Sequence, residues 1–281
     1  MRYLYFFLTL LFVSFLATGG IFVKLSELGP ISTGFYRVLF SIPILYPFFK
    51  IEKRNKVICK DKLLLYISGG FLAGDLILWN ISFSYTTVAN ANLLANLVPF
   101  SIVPACYFLY KEKISKKFLL GLFLALLGLF ILITGKQNTN EGNVFGDFLA
   151  FMTSIFYALF LLIVYKVRTR VSSVQVMYYS AFGSVVVLLL ASLIMEGVSY
   201  PTSWRELWPL IGLAIFSQIL GQGGLSYILG KISASLASIL VLMQPVISAL
   251  YAYILFHENL SLQEILGIFI VVVGIFFAKN K

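Results

Sequence analysis

The feature that most constrains this fold is a series of ten apolar segments, each long enough to cross a lipid bilayer. A spanning α-helix needs about 20 mostly apolar residues. The segments run approximately from Tyr3 to Val23, Thr33 to Phe49, Leu63 to Phe83, Val88 to Tyr110, Phe118 to Thr134, Val144 to Tyr165, Val174 to Met195, Leu207 to Tyr227, Ala234 to Phe256 and Leu262 to Ala278. Because 60% of all residues are hydrophobic and only 11% are charged, the sequence predicts an all-α integral membrane protein.

One stretch of the sequence occurs twice. Residues 88–130 align without a gap to residues 234–276 at a constant shift of 146. The twelve identical pairs are Ala91/Ala237, Leu94/Leu240, Pro99/Pro245, Tyr107/Tyr253, Leu109/Leu255, Glu112/Glu258, Ser115/Ser261, Leu120/Leu266, Gly121/Gly267, Phe123/Phe269, Gly128/Gly274 and Phe130/Phe276. Several of the Leu and Phe matches can arise by chance in so apolar a sequence. Matches of a proline, a glutamate and two glycines in a single register are hard to obtain by chance. The chain is therefore predicted to contain an internal duplication.

The basic residues predict the orientation in the membrane. With the N-terminus in the cytoplasm, 17 Lys and Arg residues fall in cytoplasmic segments and three in outer segments. The positive-inside rule then places both termini in the cytoplasm. The same asymmetry accounts for the net charge of +10, so the charge gives no support to a nucleic-acid partner. The expected partners are the lipid bilayer and a small-molecule substrate, and a homodimer stays open.

The predicted orientation implies that the two copies of the duplicated stretch cross the membrane in opposite directions. Each half holds five predicted helices, an odd number, so Glu112 lies on a cytoplasmic turn while Glu258 lies on an outer one. The sequence thus predicts two inverted five-helix repeats, in residues 1–135 and 143–281, joined by an Asn- and Gly-rich outer linker. Inverted repeats with a binding site near the membrane midplane are typical of secondary transporters.

Polar side chains within the apolar segments are the candidate site residues. The predicted substrate-binding residues are Trp79, Asn92, Asn96, Tyr157, Gln218, Gln222 and Gln244. Counting about 1.5 Å per residue puts several of them near the midplane, together with Ser14. Interhelical hydrogen bonding is the alternative for each amide, and Trp79 also suits an interfacial anchor. Pro99 and Pro245 are predicted to break their helices and expose carbonyl groups.

Two charged side chains lie at nearly the same predicted depth. Asp75 is about 20 Å from the cytoplasmic end of its helix and Arg37 is about 9 Å from the outer end of its own. An isolated charge at such a depth costs on the order of 3 kcal/mol, so the pair is predicted to be linked electrostatically. The link would serve as a substrate clamp or in proton coupling; a purely structural ion pair, or an Arg37 that reaches the outer surface, are the alternatives.

The duplicated motifs resemble a known family. The run Ala89 to Pro99 with Glu112 and Gly121, and its second copy through Pro245, Glu258, Gly267 and Gly274, is similar to the paired repeats of the drug/metabolite transporter superfamily, EamA-like branch. The resemblance covers essentially the whole chain. It implies ten helices, both termini inside, a central cavity, and transport of small metabolites, often amino acids, across the bacterial inner membrane.

These observations predict a secondary transporter rather than an enzyme. Amides and hydroxyls with one carboxylate and one guanidinium suit a small polar or zwitterionic, amino-acid-like solute moved by alternating access. Nothing in the sequence has the spacing of a nucleotide loop, a metal site or a catalytic group, so no cofactor and no metal are expected. A passive channel or facilitator, and an exporter of drugs or other metabolites, remain as alternatives.

Overall fold

A computed structural model describes residues 2–52, 57–82, 84–135, 143–197, 199–257 and 259–279, and these residues form helices without strands. The helices are α1 (Arg2–Leu25), α2 (Pro30–Ile51), α3 (Cys59–Ser82), α4 (Val88–Ala95), α5 (Val98–Tyr110), α6 (Lys116–Thr134), α7 (Val144–Val167), α8 (Ser173–Met195), α9 (Trp204–Gly212), the π-helix π1 (Leu213–Gln222), α10 (Gly223–Leu229), α11 (Ala234–Val241), α12 (Met243–Phe256) and α13 (Leu262–Lys279). Glu258 and most of the predicted linker, residues 136–142, lie outside the described residues.

Membrane-crossing length and apolarity are found in nine helical stretches of the described chain. Some of these stretches combine consecutive elements: α9, π1 and α10 form one continuous span from Trp204 to Leu229. The 22-residue helix α2 is not among the nine. Its sequence carries Arg37 and Lys50 beside several hydroxyl side chains, which make it less apolar than its neighbours. The protein is thus an all-α, multi-pass membrane protein.

The duplicated sequence adopts the same succession of elements in both copies. Helices α4 and α11 begin at Val88 and Ala234, and both end at a break within the span. The following helices, α5 and α12, end at residues with the same unusual backbone: Lys111 has φ 50° and His257 has φ 54°. Left-handed conformations are uncommon outside glycine. Their recurrence at the shift of 146 residues shows that the duplication extends to backbone detail.

The duplicated glycines form the contact between α6 and α13. A Cβ atom on Gly121 would lie 2.5 Å from the carbonyl oxygen of Gly274, and one on Gly128 would lie 2.8 Å from that of Gly267. Neither side chain could fit, so the two backbones touch directly, as small residues allow in membrane helices. Because residue numbers rise along α6 while they fall along α13, the two equivalent helices run antiparallel.

Helices α2 and α8 also run antiparallel, and each ends at the start of the other. Glu196, which follows α8, accepts hydrogen bonds of 2.8 Å from the backbone N–H groups of Ile31 and Ser32 in the first turn of α2. Glu52, which follows α2, accepts a hydrogen bond from the Ser172 hydroxyl at the start of α8. Carboxylates at helix N-termini satisfy free N–H donors and complement the helix dipole. The pair α2/α8 is therefore tied at both ends.

These contacts define two ends of the helical bundle. The terminal face carries the first turn of α1, the last turn of α13, and the connections α2–α3, α5–α6, α7–α8 and α10–α11. There the ammonium group of Lys279 lies 4.4 Å from the centre of the Phe6 ring, joining the two ends of the described chain. The opposite face carries the remaining connections, and an exposed ion pair of 3.4 Å joins Glu27 to Arg205 there.

Candidate functional site: a polar cavity between the halves

A cavity of about 160 Å³ lies where elements of both halves meet. A void of roughly 150 Å³ accommodates a benzene-sized molecule, so this one has room for a small metabolite. Its lining extends from Val23 and Pro30, near the opposite face, down to Leu72 and Gln222 in the interior. Residues of α1, α2, α3, α4, α5, α7, α11, α12 and the π-helix π1 contribute to the lining. The cavity thus extends from near the opposite face to about the middle of the bundle.

The cavity brings together nearly all the residues that the sequence nominated. The predicted residues in its lining are Arg37, Asp75, Trp79, Asn92, Asn96, Tyr157, Gln222 and Gln244. Gln218 lies directly behind the wall, fully buried, in contact with Arg37. Ser14 is not in the lining, and its hydroxyl donates to the Leu11 carbonyl of its own helix at 2.7 Å.

One wall of the cavity is built by π1. The Nε group of Arg37 donates to Gln218 Oε1 at 3.0 Å, and the Tyr157 hydroxyl donates to Gln222 Oε1 at 3.1 Å. These bonds leave both glutamine Nε2 groups buried and without a hydrogen-bond acceptor among the described residues. A buried donor without a partner costs about 1–3 kcal/mol. The wall therefore offers the amide N–H group of Gln222, and the free end of the Arg37 guanidinium, to an acceptor inside the cavity.

Among the described residues of the lining, Asp75 provides the only carboxyl group. It interacts electrostatically with Arg37, but no direct ion pair joins these two described residues, and Asp75 makes no hydrogen bond within the described chain. Arg37 does not reach the outer surface, since its Nε is held by Gln218. The cavity consequently holds a carboxyl group and a guanidinium that are near one another but not in direct contact.

The remaining amides divide into two groups. Asn92 and Gln244 line the cavity and make no side-chain hydrogen bond with any described residue. Asn96 donates from Nδ2 to the Asn92 carbonyl at 2.8 Å, so it closes the end of its own helix. The interhelical hydrogen bonds considered from the sequence are absent at all three of these described positions.

The helix breaks lie just before the two prolines. The span of α4 and α5 is interrupted at Asn96 and Leu97, and Pro99 occupies the first turn of α5. The equivalent break falls at Leu242, with Pro245 in the first turn of α12. Pro lacks an N–H donor and is tolerated in a first turn. Neither proline is in the cavity lining; the residues beside the breaks are.

Several lining residues were not predicted from the sequence. Thr33 and Asn80 are polar side chains near helix ends, where a surface position was equally compatible with the sequence. Gly19 belongs to α1, and a Cβ atom there would lie 2.9 Å from the Ser217 hydroxyl of π1. The absence of a side chain allows α1 and π1 to approach, a contact between distant segments that the local sequence does not indicate.

The sequence profile of the EamA-like transporter family matches residues 3–134 and 144–279. The chain belongs to the EamA-like transporter family. Homologues of this family member are named as transporters, and the drug/metabolite transporter resemblance seen in the sequence is confirmed. The family points to a transporter rather than to an enzyme.

Three relatives illustrate the similarity. An uncharacterized transporter of Archaeoglobus fulgidus is 25% identical over 271 residues, which are 93% of this chain and 92% of that protein. The uncharacterized transporter YetK of Bacillus subtilis is 26% identical over 89% of this chain and 78% of its own length. A probable amino-acid metabolite efflux pump of Salmonella typhimurium is 24% identical over 66% of this chain and 65% of its own length.

A crystal structure of another protein has the same fold. It superposes with a TM-score of 0.84 over 98% of each chain, at 16% sequence identity. At that identity the similarity concerns the fold alone.

Proposed function

We propose that this EamA-like protein is a secondary transporter that moves a small zwitterionic, amino-acid-like metabolite by alternating access. One observation supports this function above the others: Arg37 and Asp75 line one small cavity without forming an ion pair with each other. Two buried opposite charges normally pair directly, because each is costly alone. A zwitterion placed between them would supply both missing partners at once.

The chemistry of the cavity suggests how such a substrate is oriented. Its carboxylate would accept hydrogen bonds from Arg37 and from the unpartnered Nε2 group of Gln222, since guanidinium groups bind carboxylates in a bidentate manner. Its ammonium group would bind Asp75. Asn92 and Gln244 would contact other polar atoms of the substrate, and Trp79 with Leu76 would contact an apolar side chain. The Salmonella relative, whose printed name refers to amino-acid metabolites, is consistent with this substrate class.

We also propose ten membrane-spanning helices, with α2 as the tenth, arranged as inverted repeats of residues 1–135 and 143–281. The two stretches that match the family profile support this division. Antiparallel pairing of the equivalent helices α6 and α13 supports the inversion, because helices related by inversion must cross the membrane in opposite directions. Both termini would lie in the cytoplasm, with the protein in the cell (inner) membrane, as the distribution of basic residues suggests.

The inversion predicts that equivalent turns lie on opposite sides of the membrane. Single cysteines at Lys113 and Asn259, in a background with Cys59→Ser and Cys106→Ala, are expected to react with a membrane-impermeant maleimide from different sides. Lys113→Cys should label only from the cytoplasmic side and Asn259→Cys only from the outside. Equal labelling of both from one side would contradict the inverted arrangement.

The proposed function is tested by a metabolite screen with the purified protein in liposomes. Free amino acids, their amides and their N-acetyl derivatives are compared at the same concentration. Saturable uptake of a free amino acid, together with weak uptake of both derivatives, is the expected result, since each derivative lacks one charge. Uptake that rises linearly with concentration would favour a channel, and uptake of apolar cations alone would favour a drug exporter.

A further inference from the structure

An ion pair on the terminal face joins the two halves of the protein. Asp61, in the first turn of α3, is 2% exposed. Its two carboxylate oxygens accept hydrogen bonds of 3.0 Å and 2.6 Å from the guanidinium of Arg170, which lies in the α7–α8 connection. Such bidentate pairs are the strongest side-chain contacts of their kind. Most surface ion pairs contribute little, but here one partner is buried and the geometry fixes both groups.

The connection that carries Arg170 is anchored within its own half. Arg168 donates from Nε to the Ser226 carbonyl of α10 at 2.9 Å, and also to the carbonyl of Val171. Beyond the ion pair, the Ser172 hydroxyl donates to Glu52 at the end of α2. The α7–α8 connection therefore belongs to the second half and reaches across to the first half at two points.

One face of α3 leads from this ion pair to the cavity. Because a helical turn takes 3.6 residues, this face of α3 carries Asp61, Leu65, Leu72, Asp75 and Trp79. Leu72, Asp75 and Trp79 line the cavity, whereas Leu65 is fully buried. From Asp61 to Asp75 the path is about 20 Å long at 1.5 Å per residue.

An apolar plug fills the part of this path between the cavity and the ion pair. Leu65 packs there in one buried cluster with residues of α5 and α7, among them Ile102, Leu161 and Val164. The path is thus closed by packed apolar side chains on the terminal side of Leu72, and it ends at Asp61 and Arg170. On the other side the lining reaches Val23 and Pro30, next to the opposite face.

We infer that Asp61 and Arg170 form the gate that closes the terminal face, and that the ion pair breaks when the cavity opens to that face. This inference rests on the proposed transporter function and deepens it. The described conformation is the one in which the cavity faces away from the termini. In the other conformation Asp61 and Arg170 are separately hydrated, and the apolar plug around Val164 admits water and substrate.

A cysteine in the plug reports the opening of the gate. Val164→Cys, fully buried and close in size to the native residue, is introduced with Cys59→Ser and Cys106→Ala, and its reaction with a small impermeant thiol reagent is timed from each side of sealed vesicles. Asp61→Asn is expected to raise the rate from the terminal side on the order of tenfold, the ratio that corresponds to about 1.4 kcal/mol. Exchanging the charges, Asp61→Arg with Arg170→Asp, should restore slow labelling.

The matched control is Glu27→Gln, which removes the exposed ion pair with Arg205 on the opposite face and should leave the rate unchanged. An Asp61→Asn rate equal to that of Glu27→Gln would overturn the gate. Because no substrate is present, the labelling result is separate from the transport assay. Fast labelling in Asp61→Asn without any saturable uptake would contradict the proposed function, whereas saturable uptake with unchanged labelling would contradict the gate alone. Cross-linking Asp61→Cys to Arg170→Cys with a short bifunctional reagent should stop uptake but preserve substrate binding from the opposite face, which a merely structural contact would not do.

Discussion

Arg37→Gln is expected to weaken binding of the zwitterionic substrate by about 30-fold or more. Removing one member of a buried, hydrogen-bonded charge pair costs about 2–5 kcal/mol, and each 1.4 kcal/mol is a factor of ten in Kd. Arg37 is held in place by Gln218, so the native guanidinium needs little reordering to receive a carboxylate. The measurement is isothermal titration of purified protein with the amino acid that the liposome screen identifies.

Two controls separate loss of recognition from loss of folding. Arg205→Gln removes an arginine whose side chain is 85% exposed, and its Kd should match that of the unaltered protein. Arg37→Lys keeps the charge but loses the planar fork, so an intermediate affinity is expected. The amide derivative of the substrate, which lacks the carboxylate, should bind equally weakly to the unaltered protein and to Arg37→Gln. An unchanged Kd in Arg37→Gln would contradict the carboxylate assignment.

Asp75→Asn is expected to abolish the response of transport to an imposed pH gradient. Asp75 is the carboxylate of the cavity and has no hydrogen-bond donor among the described residues. Either a proton or the ammonium group of the substrate can neutralise the Asp75 carboxylate. Competition between them would couple proton movement to substrate transport. Asparagine has nearly the same shape as aspartate, but its side chain does not take up a proton at the pH of the assay and carries no charge that would attract an ammonium group. The measurement compares initial uptake in liposomes with and without an inward proton gradient.

The alternative roles of Asp75 give different results in the same assay. In a purely structural pair with Arg37, exchanging the two charges, Arg37→Asp with Asp75→Arg, would restore transport and its response to the gradient. We expect no such restoration, because the two side chains are not in direct contact and the exchange would present each charge to the wrong end of the substrate. Full gradient dependence in Asp75→Asn would eliminate the proton role.

The cavity residues were predictable because a polar side chain within the bilayer is costly when it faces lipid and therefore faces the protein interior. In segments as apolar as α3 and α7, Asp75 and Tyr157 must face the protein interior, and their depth follows from the helical rise. Depth alone does not reveal a side chain that is satisfied within its own helix. Ser14 has a suitable depth, but its hydroxyl bonds to the Leu11 carbonyl. Asn96 similarly bonds to its own helix while it borders the cavity.

Contacts between distant segments could not be derived from the sequence. Arg170 counted as one of many basic residues on the cytoplasmic side, although it forms a bidentate pair with Asp61, 109 residues away. The bonds of Glu52 and Glu196 to the starts of α8 and α2 likewise had no signal in the sequence, because the orientation rule counts only Lys and Arg. The π-helical geometry of residues 213–222 has no periodic signal of its own, although Gln218 and Gln222 marked the segment as functional.

The most direct test of the transporter function is counterflow across liposomes. Vesicles loaded with a high concentration of the unlabelled amino acid are diluted into a trace of the labelled one, and internal label is followed with time. An alternating-access carrier predicts a transient accumulation of label above its external concentration, lost in Arg37→Gln and retained in Arg205→Gln. Entry of label that never exceeds the external concentration, and that is the same in both variants, would contradict the account.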